Sequence, residues 1–313
     1  MATLLLKKLL SFCTTIFIVS LLIFFMFNIL PGSPAQAILG IDADEQQIKI
    51  LEEQLGLNQP LYVQYFDWIK GVFQGDFGES YKYRQPVTDI LQDRMPVSFS
   101  LAMFSLMLTV LIGIPLGIFI AKEDGKLHSV ALSILTQIGI STPSFWIGFI
   151  LIWLFAVQLG LFPTHGYVPW SESFWGAVKS LFLPSLAIAI GNIAIVIRYL
   201  KNSVLDQAKQ DYVRTAKVKG LSSNEIVYGH VLRNALLPVL TILGLITADT
   251  LGGSIIIENV FALQGLGSLL TTSIDSRDFP LIQSLILIIS LIVIVMNFIV
   301  DLMYQVIDPR IRG

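Results

Sequence analysis

Charged residues are absent from positions 9–41, 95–121, 127–171, 180–197 and 279–300, and between Arg233 and Glu258 only Asp249 interrupts a further apolar run. Leu9–Leu30 is the strongly apolar part of the first run. At 1.5 Å per residue it reaches about 33 Å, enough to cross a hydrocarbon layer of about 30 Å. The run 127–171 is long enough for two helices, and Pro143 divides it. The part before Pro143, from Ser129, is too short to cross alone, and no hairpin turn follows it. The pattern therefore predicts one long, kinked helix from about Ser129 to Leu159. The expectation is an all-α membrane protein with six transmembrane helices.

Composition agrees. Only 13% of the 313 residues are charged and 54% are hydrophobic, whereas a soluble domain carries about 25% charged residues. The net charge of −2 conceals an asymmetry. Segments 1–8, 122–129, 198–235 and 304–313 hold 13 Lys/Arg, and the alternating segments 31–96, 158–180 and 258–280 hold 7. The positive-inside rule then puts both termini in the cytoplasm. Lys7-Lys8, an apolar run and Ala35-Gln36-Ala37 mimic a cleavable signal, but the run exceeds the 7–15 residues usual for one, so an N-terminal span is expected.

The chemistry is sparse. Cys13 is the only cysteine, the three histidines are far apart, and no GxxxxGK[ST] phosphate loop or GxSxG elbow occurs. No catalytic residues and no metal ligands are assigned. Asp249 stands inside a span, where an acid is costly, and is a candidate for the pathway or for a polar partner. Asn192, Gln137 and Asn297 are expected to bridge helices.

Outside, 31–96 is the largest segment. Asp44 with Gln47 fits a capping box, Gly56 ends the helix that follows, and Tyr62, Tyr65, Phe66, Ile69 and Phe73 form a second amphipathic helix. This segment is either a cap on the membrane surface or a docking surface for an extracytoplasmic partner.

The cytoplasmic loop 198–235 is the most elaborate. Val204, Ala208, Thr215 and Val218 share a helical face with Tyr212 at its edge, and Asp206, Gln210, Arg214 and Lys217 oppose them. Gly220 stops that helix, and Ser222-Ser223-Asn224-Glu225 is a capping box for the next, which runs into Pro238. Such a loop is either an amphipathic helix on anionic lipid or a knob gripped by a cytosolic partner.

The stretch from Asp211-Tyr212-Val213-Arg214-Thr215-Ala216-Lys217 to Gly220-Leu221, followed by Leu232-Arg233-Asn234-Ala235-Leu236-Leu237-Pro238, resembles the coupling loop of ATP-binding-cassette (ABC) importer permeases of the dipeptide, oligopeptide and nickel branch. The short core E-A-A-x-x-x-G of the family reads Arg214-Thr215-Ala216-x-x-x-Gly220 here. Leu30-Pro31-Gly32-Ser33-Pro34, Leu55-Gly56-Leu57-Asn58-Gln59-Pro60-Leu61, Gly113-x-Pro115-Leu116-Gly117, Pro143-x-Phe145-Trp146, Glu258-Asn259-Val260-Phe261 and the tail Asp308-Pro309-Arg310-Ile311-Arg312 extend the resemblance along the chain. Gln264 departs from the usual proline before Gly265-Leu266-Gly267.

The resemblance implies a type I ABC importer permease fold with a cytoplasmic coupling helix. It divides the chain into an N-terminal helix (1–30), an extracytoplasmic segment (31–96) and a five-helix permease core (97–313) that holds the coupling loop 198–235. It implies a second homologous permease chain in a heterodimer, two ATP-binding subunits that bind ATP and Mg, an extracytoplasmic substrate-binding protein and the lipid bilayer of the bacterial inner membrane as partners. It implies no nucleic acid, no cofactor in this chain and no enzymatic activity of its own. Asp211, Tyr212, Val213, Arg214, Thr215, Ala216, Lys217 and Gly220 would seat in an ATPase groove. Peptides are the expected cargo, nickel or a metal chelate the alternative. A secondary transporter or channel would instead show an inverted repeat and several intramembrane ionisable groups, and the sequence has no such repeat.

Overall fold

The computed structural model describes residues 2–29, 34–39, 44–54 and 56–307. The motif 30–33 and the tail 308–312 lie outside the described residues. In chain order the helices are α1 (Ala2–Ile29), α2 (Pro34–Leu39), α3 (Glu45–Gln54), α4 (Leu61–Gln74), α5 (Val87–Lys122), α6 (Leu127–Ser141) and α7 (Ser144–Leu151). They continue with α8 (Phe174–Ala208), α9 (Asp211–Val218), α10 (Ser223–Ile226), α11 (Leu232–Gly253), α12 (Ile255–Val260), α13 (Leu266–Asp275) and α14 (Phe279–Ile307). A π-helical turn, Ile152–Gln158, extends α7, and another, Val227–Val231, joins α10 to α11.

Five helical stretches among the described residues are long and apolar enough to cross a membrane: Lys8–Phe27, Val87–Lys122, Phe174–Ala208, Ser223–Thr250 and Phe279–Val300. The single kinked helix expected over Ser129–Leu159 is not formed. Instead α6 and the α7 stretch meet at a bend of 106°. The reason is local. Thr142 precedes proline and adopts φ −95°, ψ 126°, the extended geometry that proline imposes on its predecessor. Proline then serves as the cap of a new helix rather than as a kink within one.

The chain forms two compact units. One comprises 1–97 and 264–294, the other 98–263 and 295–313. In the first, Val87, Ile90 and Leu91 of α5 pack with Leu266 and Leu269 of α13 and Leu281 and Leu285 of α14. The fully buried Asp278 carboxylate accepts hydrogen bonds from Ser80 Oγ and from the backbone N–H groups of Tyr81 and Lys82, both at 3.2 Å. Burial, and then the nearby Asp278 charge, push the Tyr81 phenol up to about 12. The α3 helix ends as expected: Gly56 has φ +67°, and the N–H groups of Gly56 and Leu57 bond to the carbonyls of Glu53 and Glu52, a Schellman closure.

In the second unit, α8 runs for 35 residues and packs on α6, α7 and α11. Close approach of α5 to α8 depends on Gly113 and Gly117: a Cβ on either would meet Val196 at 3.1 Å or Leu200 at 3.0 Å. The i, i+4 glycine pair is the small-residue seam by which membrane helices pack. Asn192 of α8 bonds Thr250 Oγ1 of α11 at 3.2 Å, the helix bridge expected of it. Gln137 and Asn297 are exposed.

Candidate coupling site

The cytoplasm-assigned loop folds on a core that it shares with the spans. Val204 and Leu200 of α8, Val213 and Ala216 of α9, Ile226 of α10 and Val231 of the π turn are buried together with Ala235 and Val239 of α11. The amphipathic face differs from the expected one. A continuous helix through 204–218 would align Val204, Ala208, Thr215 and Val218. Instead the helix breaks at Lys209–Gln210, where Gln210 is extended (φ −72°, ψ 152°). The break resets the rotation, so Val213 and Ala216 point inward, at 3% and 6% exposure. Val218, at 85%, points out.

The eight residues singled out by resemblance thus fall into two groups. Val213 and Ala216 anchor α9, and Tyr212 is half-buried with its hydroxyl donating to Gln207 Oε1 at 2.9 Å. Asp211, Arg214, Thr215, Lys217 and Gly220 are exposed. Gly220 has φ +84°, and its N–H and that of Leu221 close the helix on the carbonyls of Lys217 and Ala216. A side chain at 220 would meet no atom of the described residues within 4 Å. Glycine is therefore required by backbone conformation, not by space within the chain. The capping box also forms as expected: Ser222 Oγ accepts from the Glu225 N–H, and Glu225 Oε2 accepts from the Ser222 N–H at 2.7 Å.

One cross-link holds this platform to α5, and a second ties the neighbouring ends of two spans together. Lys122, at the end of α5, donates to Asn224 Oδ1 at 2.6 Å and lies over the Tyr228 ring. Lys201 of α8 pairs with Asp124 at 2.8 Å. The first pair fixes α10 and the adjoining turn against the end of α5, the second ties α8 to the turn after α5, and the outer face of α9 is uncovered by the described residues.

Asp249 is exposed on α11 and has no hydrogen-bond or ion-pair partner among the described residues. It therefore points off this chain's surface rather than into its interior. A buried acid beyond the candidate spans also emerges. Glu258 looked like the first residue of an outer segment, because it ends an apolar run. It is fully buried on α12, accepting from Ser98 Oγ at 2.7 Å and Ser254 Oγ at 3.2 Å. Ser254, four residues earlier, was the only signal available in the sequence; Ser98 is brought in by the fold.

Several apolar helices and no strand among the described residues mark a multi-pass membrane protein. The chain belongs to the family described as binding-protein-dependent transport system inner membrane component, which it matches over residues 113–313, with the corresponding N-terminal family matched over 1–102. These are ABC importer permeases whose ATPase activity resides in separate subunits, so this chain is not itself an enzyme. A Brucella abortus (strain 2308) protein provisionally named a peptide transport system permease is 37% identical over 312 residues, covering 100% of this chain and 99% of that one. The glutathione transport system permease protein GsiC of Escherichia coli (strain K12) is 40% identical over 306 residues, covering 98% and 97%. Among solved structures, the inward-facing MetNI methionine ABC transporter superposes with a TM-score of 0.57 at 16% identity, over 70% of this chain and 96% of that chain. An amino acid ABC transporter with histidines gives 0.55 at 17% identity, over 70% and 94%. At such identities the likeness is one of fold.

Proposed function

We propose that this chain is one half of the translocation pathway of an ATP-driven importer of di- or oligopeptides in a bacterial inner membrane. The observation that carries the substrate class is full-length similarity, at 37–40% identity, to permeases named for peptide and glutathione transport. Glutathione is itself a small peptide, so both names share a peptide backbone with charged ends.

The mechanism follows from the platform. Two ATP-binding subunits, which bind ATP and Mg, grip the exposed face of α9, where Asp211, Arg214, Thr215 and Lys217 are free to pair. Val213 and Ala216 seat that helix in the same core as α8 and α11, with Tyr212 at its margin. A displacement of α9 therefore moves both spans as a rigid body rather than deforming a loop. A homologous permease chain supplies the other half of the pathway, in a heterodimer, and Asp249, which projects from this chain, lines the pathway or the contact with that partner. An extracytoplasmic binding protein delivers the peptide. The Lys/Arg asymmetry supports both termini inside, and this requires six crossings, with the α6–α7 pair counting as one. Within this scheme 1–30 is the first span, 31–96 the outer segment and 97–313 the permease core.

Co-purification and reconstitution test the proposal. The expected result is recovery of two ATP-binding subunits and a second permease, with ATP-dependent accumulation of a labelled dipeptide in proteoliposomes when binding protein is supplied. Accumulation of a nickel chelate but of no peptide would overturn the substrate class. Absence of any ATP-binding subunit would overturn the mechanism.

A further inference from the structure

On α4, Tyr62, Phe66, Ile69 and Phe73 lie within an arc of about 60° at 3.6 residues per turn. Tyr62, Phe66 and Phe73 are 67%, 66% and 87% exposed. The expected amphipathic helix is present, but most of its aromatic face turns away from the protein. Tyr65 and Trp68, on the adjoining side, hold it to α1. Tyr65 hydrogen-bonds Ser20 through its hydroxyl at 2.8 Å, and its ring meets those of Phe17 and Phe24 at 6.4 and 5.4 Å, edge to face. Trp68 lies 6.1 Å from Phe24.

These contacts give α4 a depth. The apolar stretch of α1 is Lys8–Phe27, about 30 Å long and equal to one hydrocarbon layer. Phe17 is at its middle, and Ser20 is about 10 Å in from the Phe27 end. A helix that reaches Ser20 and Phe17 with one side chain, and Phe24 with two, does not stand clear of the bilayer. Its aromatic stripe also continues a lipid-facing surface. The exposed Phe25 of α1 meets Phe24 edge to face, Phe24 meets Tyr65, and Tyr65 meets the exposed Phe66 in the same way. The other flank of α4 is partly polar: Gln64 and Asp67 line a cavity of about 640 Å³ together with Glu52, Asp76 and Gln283.

We propose that α4 is an interfacial helix sunk into the leaflet at the Phe27 end of α1, with Tyr62, Phe66 and Phe73 among lipid acyl chains and Gln64 and Asp67 in the aqueous cavity. The occupant of the aromatic stripe is lipid. Amphipathic helices of this kind bury their apolar face about 5–10 Å into the headgroup–acyl boundary, and aromatic residues favour that boundary. The proposal rests on α1 crossing the membrane, as in the function proposed above.

Single cysteines in a Cys13→Ser background, in the assembled transporter in its native membrane, test it with a charged, membrane-impermeant maleimide. Tyr62→Cys, Phe66→Cys and Phe73→Cys should react about tenfold or more slowly than Asp67→Cys and Glu79→Cys, and should become reactive in detergent. Equal rates in the membrane overturn the proposal. Slow reaction that persists in detergent also overturns it, since a protein partner would then cover the stripe. Phe17→Cys separates the two levels: rapid labelling there would mean that α1 does not cross, whereas a protected Phe17→Cys with a reactive Phe66→Cys rejects only the interfacial helix.

Discussion

Replacing Gly220 by valine perturbs one backbone conformation and no other contact among the described residues. The residue sits at φ +84°, and a Cβ there meets no atom within 4 Å. The cost is therefore conformational, roughly 1–2 kcal/mol for a branched L residue in the left-handed region. That corresponds to roughly a 5- to 30-fold shift away from the capped state. The lost state is the Schellman closure that ends α9 and aims Leu221 and the Ser222 box toward α10. Because α9 is only 8 residues long and is anchored by Val213 and Ala216, loosening its end should let the ATPase move it without moving α8 and α11. The assay is peptide uptake per ATP hydrolysed in proteoliposomes. Gly220→Val should lower this ratio about fivefold or more, with the subunits still assembled. Gly220→Ala should fall between, and Gly220→Asn should stay near wild type, since asparagine visits this region readily. An unchanged ratio for Gly220→Val would refute the coupling role. Equal loss for Asn and Val would show that contact with the partner, not backbone conformation, demands glycine.

Further outcomes follow from the spans. Glu258→Ala leaves the Ser98 and Ser254 hydroxyls without their shared acceptor and should cost about 1–3 kcal/mol; Glu258→Gln should cost clearly less, and equal thermal shifts for the two would deny the carboxylate this role. Asp249→Ala should reduce uptake without reducing the amount of transporter in the membrane, because the side chain is exposed and unpaired within this chain; wild-type uptake would remove it from the pathway. Gly113→Leu should overpack the α5–α8 seam against Val196 and destabilise the chain by about 1–3 kcal/mol, read as a lower melting temperature in lipid nanodiscs, whereas an unchanged value would mean that the seam has room to spare.

What could be read from the sequence was what local chemistry decides. Uncharged runs locate the spans because charge is expensive in hydrocarbon, and Gly220 and Ser222-x-x-Glu225 act through bonds within a few residues. Three features depended on more than that. Pro143 was legible as an interruption, but whether it kinks or breaks a helix depends on Thr142 adopting extended geometry and on α7 docking on α8. The face of α9 was misjudged because Lys209–Gln210 carries no glycine or proline to announce a break. The burial of Glu258 was not legible because its partner Ser98 is 160 positions away, and no periodicity encodes that distance.

The length of α8 has one more consequence. Beyond Pro184 it continues unbroken to Ala208, about 36 Å at 1.5 Å per residue. A stiff rod of that length, pivoting near its proline by only about 10°, would sweep its tip through about 6 Å. Run in reverse, a pull of a few ångströms on α9 could tilt this one helix without melting it. Under the proposed coupling, the pull on α9 and the bend at Pro184 would lie at opposite ends of a single element.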